Sequence, residues 1–347
     1  IIGTTAIDEV VKALDDVLRG INKNHYQGLD RKPFTGMHRV MTTGGHFAYL
    51  KIAEGCDKHC TYCIIPKVRG SYRSVPMESL LQEAGDLAAQ GVKELIIVAQ
   101  ETTRYGVDLY GHKALPELLC KLCEIDGLFW IRILYCYPEE IDEELIQTIK
   151  NQKKICHYLD LPIQHASDSV LKRMGRWTDQ KELTDMVNHL REEIPDICLR
   201  TTLITGFPGE TQEDHDVLMS FVEKMAFDRL GVFPYSQEED TPAEDMDGQI
   251  SEDVKEKRCQ ELMALQQEIA FDAAADMAGR VVTAMIEGRV ADEDAYVART
   301  YKDAPNVDGF LFINTGRELM TGDLVRVRIT GSYEYDLIGE LEDEFTE

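Results

Sequence analysis

Three cysteines in EGCDKHCTYC, Cys56, Cys60 and Cys63, stand at a C-x3-C-x2-C spacing that lets three thiolates converge on one metal centre. The ligand count bears on which centre. Structural zinc normally takes four protein ligands, whereas three Cys on a 4Fe-4S cluster leave one iron open for a substrate or cofactor. His59 offers a fourth zinc ligand, but it sits next to Cys60 inside the loop, where simultaneous coordination is strained. The chain has nine Cys, unevenly spread, which argues for a reduced compartment and a metal site rather than a disulfide framework. Cys120 and Cys123 form a C-x2-C pair, but they lie in the helical segment ALPELLCKLCEI with no second pair nearby and read as buried helix residues. Cys136, Cys156, Cys198 and Cys259 are isolated and read as packing.

The elements that position the loop are legible in the apolar periodicity. From about residue 47 to 236, short apolar runs at 47–53, 94–100, 129–135, 157–163, 197–204 and 229–235 alternate with helical patterns at 77–90, 114–124, 139–151, 167–174, 179–193 and 211–225. A Ser or Asp before a charged first turn, as in SDSVLKRM and TDQKELTDMV, signals helix starts. Six βα units at ~30 residues each predict an α/β fold with a partial (β/α)6 barrel over 47–250, short of the eight units of a closed one. Residues 251–279 read as one long connector helix, with Leu262, Leu265 and Ile269 near helical spacing. From 280 to 347 five short β segments predict a small antiparallel five-stranded β-barrel. Residues 1–46 combine a helix over 6–19 with an extended stretch, and hold too little apolar material for a core of their own.

The cysteine loop resembles the signature of the radical S-adenosylmethionine (SAM) superfamily, C-x3-C-x-aromatic-C after the first strand of a partial (β/α)6 barrel, with Tyr62 as the aromatic. The stretches AYLKIAEGCDKHCTYCIIPKVRG, IVAQETTRYG, LDLPIQHASDSVLKRMGR, LRTTLITGFPGET and VFPYSQEEDTPA are similar, in order and spacing, to the methylthiotransferases of that superfamily. The C-terminal β module resembles the TRAM domain that closes those enzymes. The resemblance implies a 4Fe-4S cluster on Cys56, Cys60 and Cys63, with the amino and carboxylate groups of SAM on the open iron. An electron from a donor such as a flavodoxin then cleaves SAM to methionine and a 5′-deoxyadenosyl radical. It also implies SAM contacts from Tyr62, from Gln100 and Glu101 after the second strand, from Gln164 and His165 after the fourth, and from Arg200 and Gly206 on and after the fifth. An Arg in a strand is by itself an ordinary ion pair, and Gly206 by itself an ordinary turn. Glu101 stands where the family more often has Asp.

The family divides by substrate. One branch methylthiolates an adenosine of tRNA, and the RimO-type branch modifies the β-carbon of an aspartate in ribosomal protein S-twelve. The cluster loop, PYSQEEDTPA with Glu238 and Glu239, and RTYKDAPNVDG resemble the protein-modifying branch. Charge agrees: the chain carries −26, with 37 basic against 63 acidic residues, and residues 280–347 carry 7 basic against 15 acidic residues. That surface repels a phosphate backbone and suits a Lys- and Arg-rich ribosomal protein. A different class also accommodates the motifs, a non-enzymatic zinc-containing module with a small barrel. In the family a second 4Fe-4S cluster is held by three Cys of an N-terminal domain. No Cys precedes Cys56 and the chain has no initiator Met, so it is expected to lack that domain, to bind one cluster and not to complete methylthiolation alone. No run approaches the roughly 20 apolar residues of a membrane span, and IIGTTAIDEVVKAL lacks the pattern of a signal peptide. A cytoplasmic location without membrane contact is expected.

Overall fold

The computed structural model describes residues 1–36, 39–42 and 44–342. The last five residues of the predicted terminal barrel therefore lie outside it. Six strands, β1 (Phe47–Lys51), β2 (Glu94–Val98), β3 (Trp130–Ile133), β4 (Ile155–Gln164), β5 (Cys198–Thr205) and β6 (Arg229–Pro234), pair in sequence order, all parallel. Parallel neighbours need a crossover. The crossovers carry helices α2 (Met77–Ala89), α3 (Leu115–Cys123), α4 (Glu143–Asn151), α5 (Asp168–Arg173), α6 (Gln180–Glu193) and α7 (Gln212–Met225) on one face of the sheet. Helix α1 (Val10–Leu18) precedes them. Apolar side chains from strands and helices share one core, to which Leu95, Ile97, Ile131, Ile133, Leu199 and Leu203 contribute from the sheet. The alternate strand residues, among them Ile96, Tyr158 and Cys198, point to the concave side and join a second cluster.

Capping fixes several helix starts. The Asp179 carboxylate accepts from Glu182 N and the Glu182 side chain accepts from Asp179 N, a reciprocal cap, and Thr211 with Asp214 does the same for α7. Ser167 departs from the expected cap at α5. Its hydroxyl turns instead to Ser169 and Asp214, tying α5 to the start of α7.

The predicted connector is helix α8 (Glu252–Ala275), which lies along β6 and α7. Its buried face is partly polar: Arg258 pairs with Glu210 at 2.9 Å, Lys255 Nζ donates to Tyr235 O, and Gln266 donates to Phe227 O. Strands β7 (Val281–Arg289), β8 (Ala295–Thr300), β9 (Leu311–Asn314), β10 (Leu324–Tyr333) and β11 (Asp336–Leu341) then close a barrel in the order β8-β9-β11-β10-β7. Ala284, Ile286, Tyr296, Leu311, Val327 and Ile329 fill it. One seam differs from an antiparallel design. Strands β9 and β11 run parallel, because β10 lies between them in the chain and hairpins onto β11 from the other side.

The terminal barrel sits against the N-terminal ends of the six parallel strands. Glu94, the first residue of β2, is completely buried between two guanidinium groups, Arg132 of β3 at 2.8 Å and Arg299 of β8 at 2.6 Å. Arg299 also reaches Glu287 at 2.6 Å, which pairs with His46 at 3.0 Å. Around this centre Arg132 donates to Tyr301 O, Tyr158 donates to Asp308, and Arg229 pairs with Asp303 at 2.6 Å. Burial alone would raise the Glu94 carboxyl, but Arg132 and Arg299 outweigh it and hold the group below its ordinary value.

Glu94→Gln should leave the buried Arg132 without a carboxylate and Arg299 with Glu287 alone, and lower unfolding stability by about 3–5 kcal/mol, measured by denaturant titration. Because the folded carboxyl titrates below its ordinary value of 4.5, the stabilisation is complete above that pH and is lost as the pH falls through the lower folded value. The Gln variant should therefore lose part of the acid sensitivity of the parent.

Candidate functional site

The C-terminal ends of parallel barrel strands are where catalytic groups gather, and the cysteine loop leaves β1 at this end. Gly55 begins it at φ +81°, and a Cβ there would stand 2.2 Å from Ser71 O and 2.5 Å from Gly70 O. Only glycine fits. Cys56 N donates to Gly70 O, and the far side of the loop is held by Thr61 N on Met174 O and Thr61 Oγ1 on Arg173 O. Cys56 and Cys60 are buried and Cys63 is half-buried. His59 is exposed, at φ +51°.

Burial pushes the Cys56 thiol up to about 11, and Glu101, Cys60 and Cys63 add to this. Cys63 is also raised, first by burial and then by Cys60. The three sulfurs thus feel one another. Among the described residues no three His, Cys, Asp or Glu side chains are drawn together as a single metal ion requires. A 4Fe-4S cluster places each thiolate on a different iron, so its ligand sulfurs stand apart by the breadth of the cluster. The donor set of three thiols on one restrained loop fits that larger group.

At the strand ends lie polar groups without hydrogen-bond partners. Glu101 neighbours the loop through Lys58 and Cys56, while His165 Nε2 is turned to Glu210 Oε2 at 3.8 Å, on the side of α7 and α8 rather than the loop. Gln100 Oε1, both Glu101 carboxylate oxygens and His165 Nε2 are buried and accept or donate no hydrogen bond among the described residues. Glu101 is completely buried, and burial lifts its carboxyl to about 7, with Lys58 opposing and Glu140 adding. Lys58 Nζ lies 3.5 Å from Glu101, 3.5 Å from Glu139 and 2.6 Å from Glu140, so its charge is compensated. Gln164 ends β4 at φ +71°. His165 follows it, with Nδ1 accepting from Ser167 N, and burial lowers its pKa to about 3, so the ring is neutral. Buried polar atoms in this number need a partner that the protein itself does not supply.

Tyr62 meets Phe207 edge-on at 6.5 Å, and Phe207 meets Tyr235 at 5.2 Å, an aromatic row joining the loops after β1, β5 and β6. Gly206 lies in this row at φ +69°. A Cβ there would stand 2.3 Å from Lys255 Cγ and 3.2 Å from Lys255 Cα, so α8 occupies the space its missing side chain leaves. Close helix packing therefore accounts for this glycine.

Arg200 is not brought to this end. It precedes Thr205 by five residues, about 16 Å along a strand at ~3.3 Å per residue. Its guanidinium pairs with Asp160 at 2.9 Å and lies 3.8 Å from Asp308 of the terminal barrel. Lying on the strand that leads into Gly206 does not make Arg200 its neighbour in depth.

Two residues at the site escape motif reading. Tyr137 places its hydroxyl 3.8 Å from Cys60 Sγ, and Arg176 lays its guanidinium over the Tyr137 ring at 4.5 Å. Tyr137 follows the end of β3, a signal that could have found it, whereas Arg176 follows helix α5 and has no such signal. Cys120 and Cys123 stay on α3, where Gln152 Nε2 approaches Cys120 Sγ at 3.6 Å and Cys123 packs on the core. Among the described residues no helix is long and apolar enough to cross a membrane.

Comparison with known proteins places these features together. Residues 50–222 match the model of the radical SAM superfamily, and residues 278–341 match that of the TRAM domain. The ribosomal protein uS12 methylthiotransferase RimO of Lachnoclostridium phytofermentans is 59% identical over 342 residues, covering 99% of this chain and 78% of that protein. The RimO protein of Clostridium kluyveri is 46% identical over 344 residues, covering 99% and 77%. Among solved structures, coproporphyrinogen III oxidase (HemN) from Escherichia coli aligns with a TM-score of 0.51 at 17% identity, over 74% of this chain and 67% of that one, a likeness of fold. The cofactors are a 4Fe-4S cluster and SAM, and the chain is an enzyme rather than a zinc-containing binding module. By sequence identity across its whole length, the chain belongs to the RimO family of radical SAM methylthiotransferases.

Proposed function

We propose that Cys56, Cys60 and Cys63 hold one 4Fe-4S cluster, that SAM lies between it and the ring of polar groups at the strand ends, and that the enzyme modifies an aspartate of ribosomal protein uS12. The supporting observation is the set of buried atoms without hydrogen bonds among the described residues on Gln100 and Glu101 at the end of β2, beside the cysteine loop. When bound, the cluster supplies an electron that cleaves SAM to methionine and a deoxyadenosyl radical. The chain's residues bind and orient. Glu101, ionised beside a bound ammonium, accepts from the amino group of SAM, and Gln100 Oε1 accepts a second hydrogen bond. Tyr62, with Phe207 behind it, and the backbone at Gly206 form the apolar wall suited to a purine. Gln164 lines the side nearer the substrate, and the neutral His165, accepting from Ser167 N and lying 3.8 Å from Glu210, holds the turn after β4.

Arg200, held by Asp160 and near Asp308, belongs in this reading to the concave surface below the cofactors rather than to the SAM carboxylate.

The protein target is supported by charge as well as by the names of the relatives. Arg299 and Lys302, two of the basic residues of the terminal barrel, are engaged at the floor, by Glu94 and Glu287 and by Asp228. Arg326 and Arg328 both meet Glu342. Acidic groups such as Asp292, Glu293 and Glu318 remain exposed, a surface for a basic protein and a poor one for tRNA. The second cluster of the methylthiolation reaction lies, on this reading, outside residues 1–347.

A chain extended to the full length of its relatives, reconstituted and offered a uS12 loop peptide or tRNA, should add a methylthio group to the peptide, read by mass spectrometry. Addition to tRNA alone contradicts the assignment. Gly55→Ala should strain the loop by at least about 1–3 kcal/mol and leave most of the iron unbound, read by iron analysis after anaerobic reconstitution.

A further inference from the structure

Arg176 is the one cation at the cysteine loop whose charge the described residues leave uncompensated by hydrogen bonds. Its side chain is 1% exposed, and Nε, Nη1 and Nη2 all lack a hydrogen-bond acceptor among the described residues. The nearest carboxylate oxygen, Glu139 Oε2, is 3.7 Å away and is itself unpartnered. An arginine does not shed its proton in a protein, and a buried charge without hydrogen bonds is costly. By contrast Lys58 meets three carboxylates, and Arg200 is paired far below.

The position of Arg176 is rigid. It follows Gly175, which turns at φ +72°, and the same turn is hydrogen-bonded to the cysteine loop through Thr61. Arg176 N donates to Leu171 O. The guanidinium plane rests on Tyr137, whose hydroxyl points at Cys60 Sγ. A fixed, dry, unsatisfied cation is thus held one aromatic ring from a cluster thiolate.

We propose that Arg176 faces the 4Fe-4S cluster, donates N–H hydrogen bonds to its sulfur atoms and raises its reduction potential. This rests on the reading that Cys56, Cys60 and Cys63 hold the cluster. Reduction adds an electron to an assembly already negative from its thiolates and sulfides, so a nearby positive charge stabilises the reduced form more than the oxidised one. Removing the charge makes the cluster harder to reduce, while the three thiolates continue to hold it.

The test is an EPR-monitored redox titration of the anaerobically reconstituted chain, with and without SAM, for the parent, Arg176→Met and Arg176→Lys. Iron and sulfide are counted first. Arg176→Met should keep its iron and, without SAM, show a reduced-to-oxidised ratio lower by on the order of tenfold at the parent's midpoint, about 59 mV for a one-electron couple. Arg176→Lys should recover most of that shift. An unchanged midpoint in Arg176→Met overturns the proposal, and if only SAM affinity falls, the guanidinium serves the SAM carboxylate instead. Should Arg176→Met not retain iron, Arg176→Gln is compared with Arg176→Lys, and equal midpoints overturn it. A parent chain that binds no iron overturns the cluster reading itself.

Discussion

Six parallel strands do not close a barrel, so the concave side of the sheet has two ends and an open edge to account for. At one end the solution is electrostatic. Glu94 is buried between Arg132 of the sheet and Arg299 of the terminal barrel, and it is the one carboxylate that joins the two guanidinium groups among the described residues. This contact fixes the terminal barrel as the floor of the sheet. The hydrogen bonds from Tyr158 and Arg132, and the Arg229–Asp303 pair, follow from that placement. With the floor occupied, the strand ends that carry the cysteine loop are left as the polar, ligand-seeking end.

The two ends are polar in opposite ways. At the floor nearly every buried charge has its counter-charge within the protein. At the cysteine end Gln100 Oε1, both Glu101 oxygens and the Arg176 guanidinium make no hydrogen bond among the described residues, and the counter-charges stand off, Lys58 at 3.5 Å from Glu101 and Glu139 at 3.7 Å from Arg176. That imbalance separates a structural ion network from a binding site, and it needs no motif to be seen. It also explains why depth matters more than sequence proximity: Arg200 is satisfied because it lies toward the floor, and Glu101 is unsatisfied because it lies beyond the end of β2.

Much of this was legible in the sequence. The alternation of apolar runs with amphipathic segments locates all six parallel strands, because each is short, apolar and followed by a helical pattern, several of them opening on a Ser or Asp start signal. The cysteine spacing locates the loop because three thiols so close have few other uses. What the sequence did not disclose depends on contacts between distant segments. Lys255 fills the space beside Gly206, and no local pattern announces a helix arriving from about fifty residues away. Arg176 reads as one more basic residue after a helix until Tyr137 and the cysteine loop close around it. The parallel seam between β9 and β11 depends on which side of β10 the last strand emerges, and hydrophobic alternation does not encode this.

The central claim is that this chain holds one cluster, on Cys56, Cys60 and Cys63, and uses it on SAM. Anaerobic reconstitution followed by iron and sulfide analysis and by assay for 5′-deoxyadenosine under dithionite tests it most directly. The account predicts about four irons and about four sulfides per chain, with 5′-deoxyadenosine formed by the parent and not by Cys60→Ser. About eight irons per chain, or 5′-deoxyadenosine formed equally by Cys60→Ser, would contradict it.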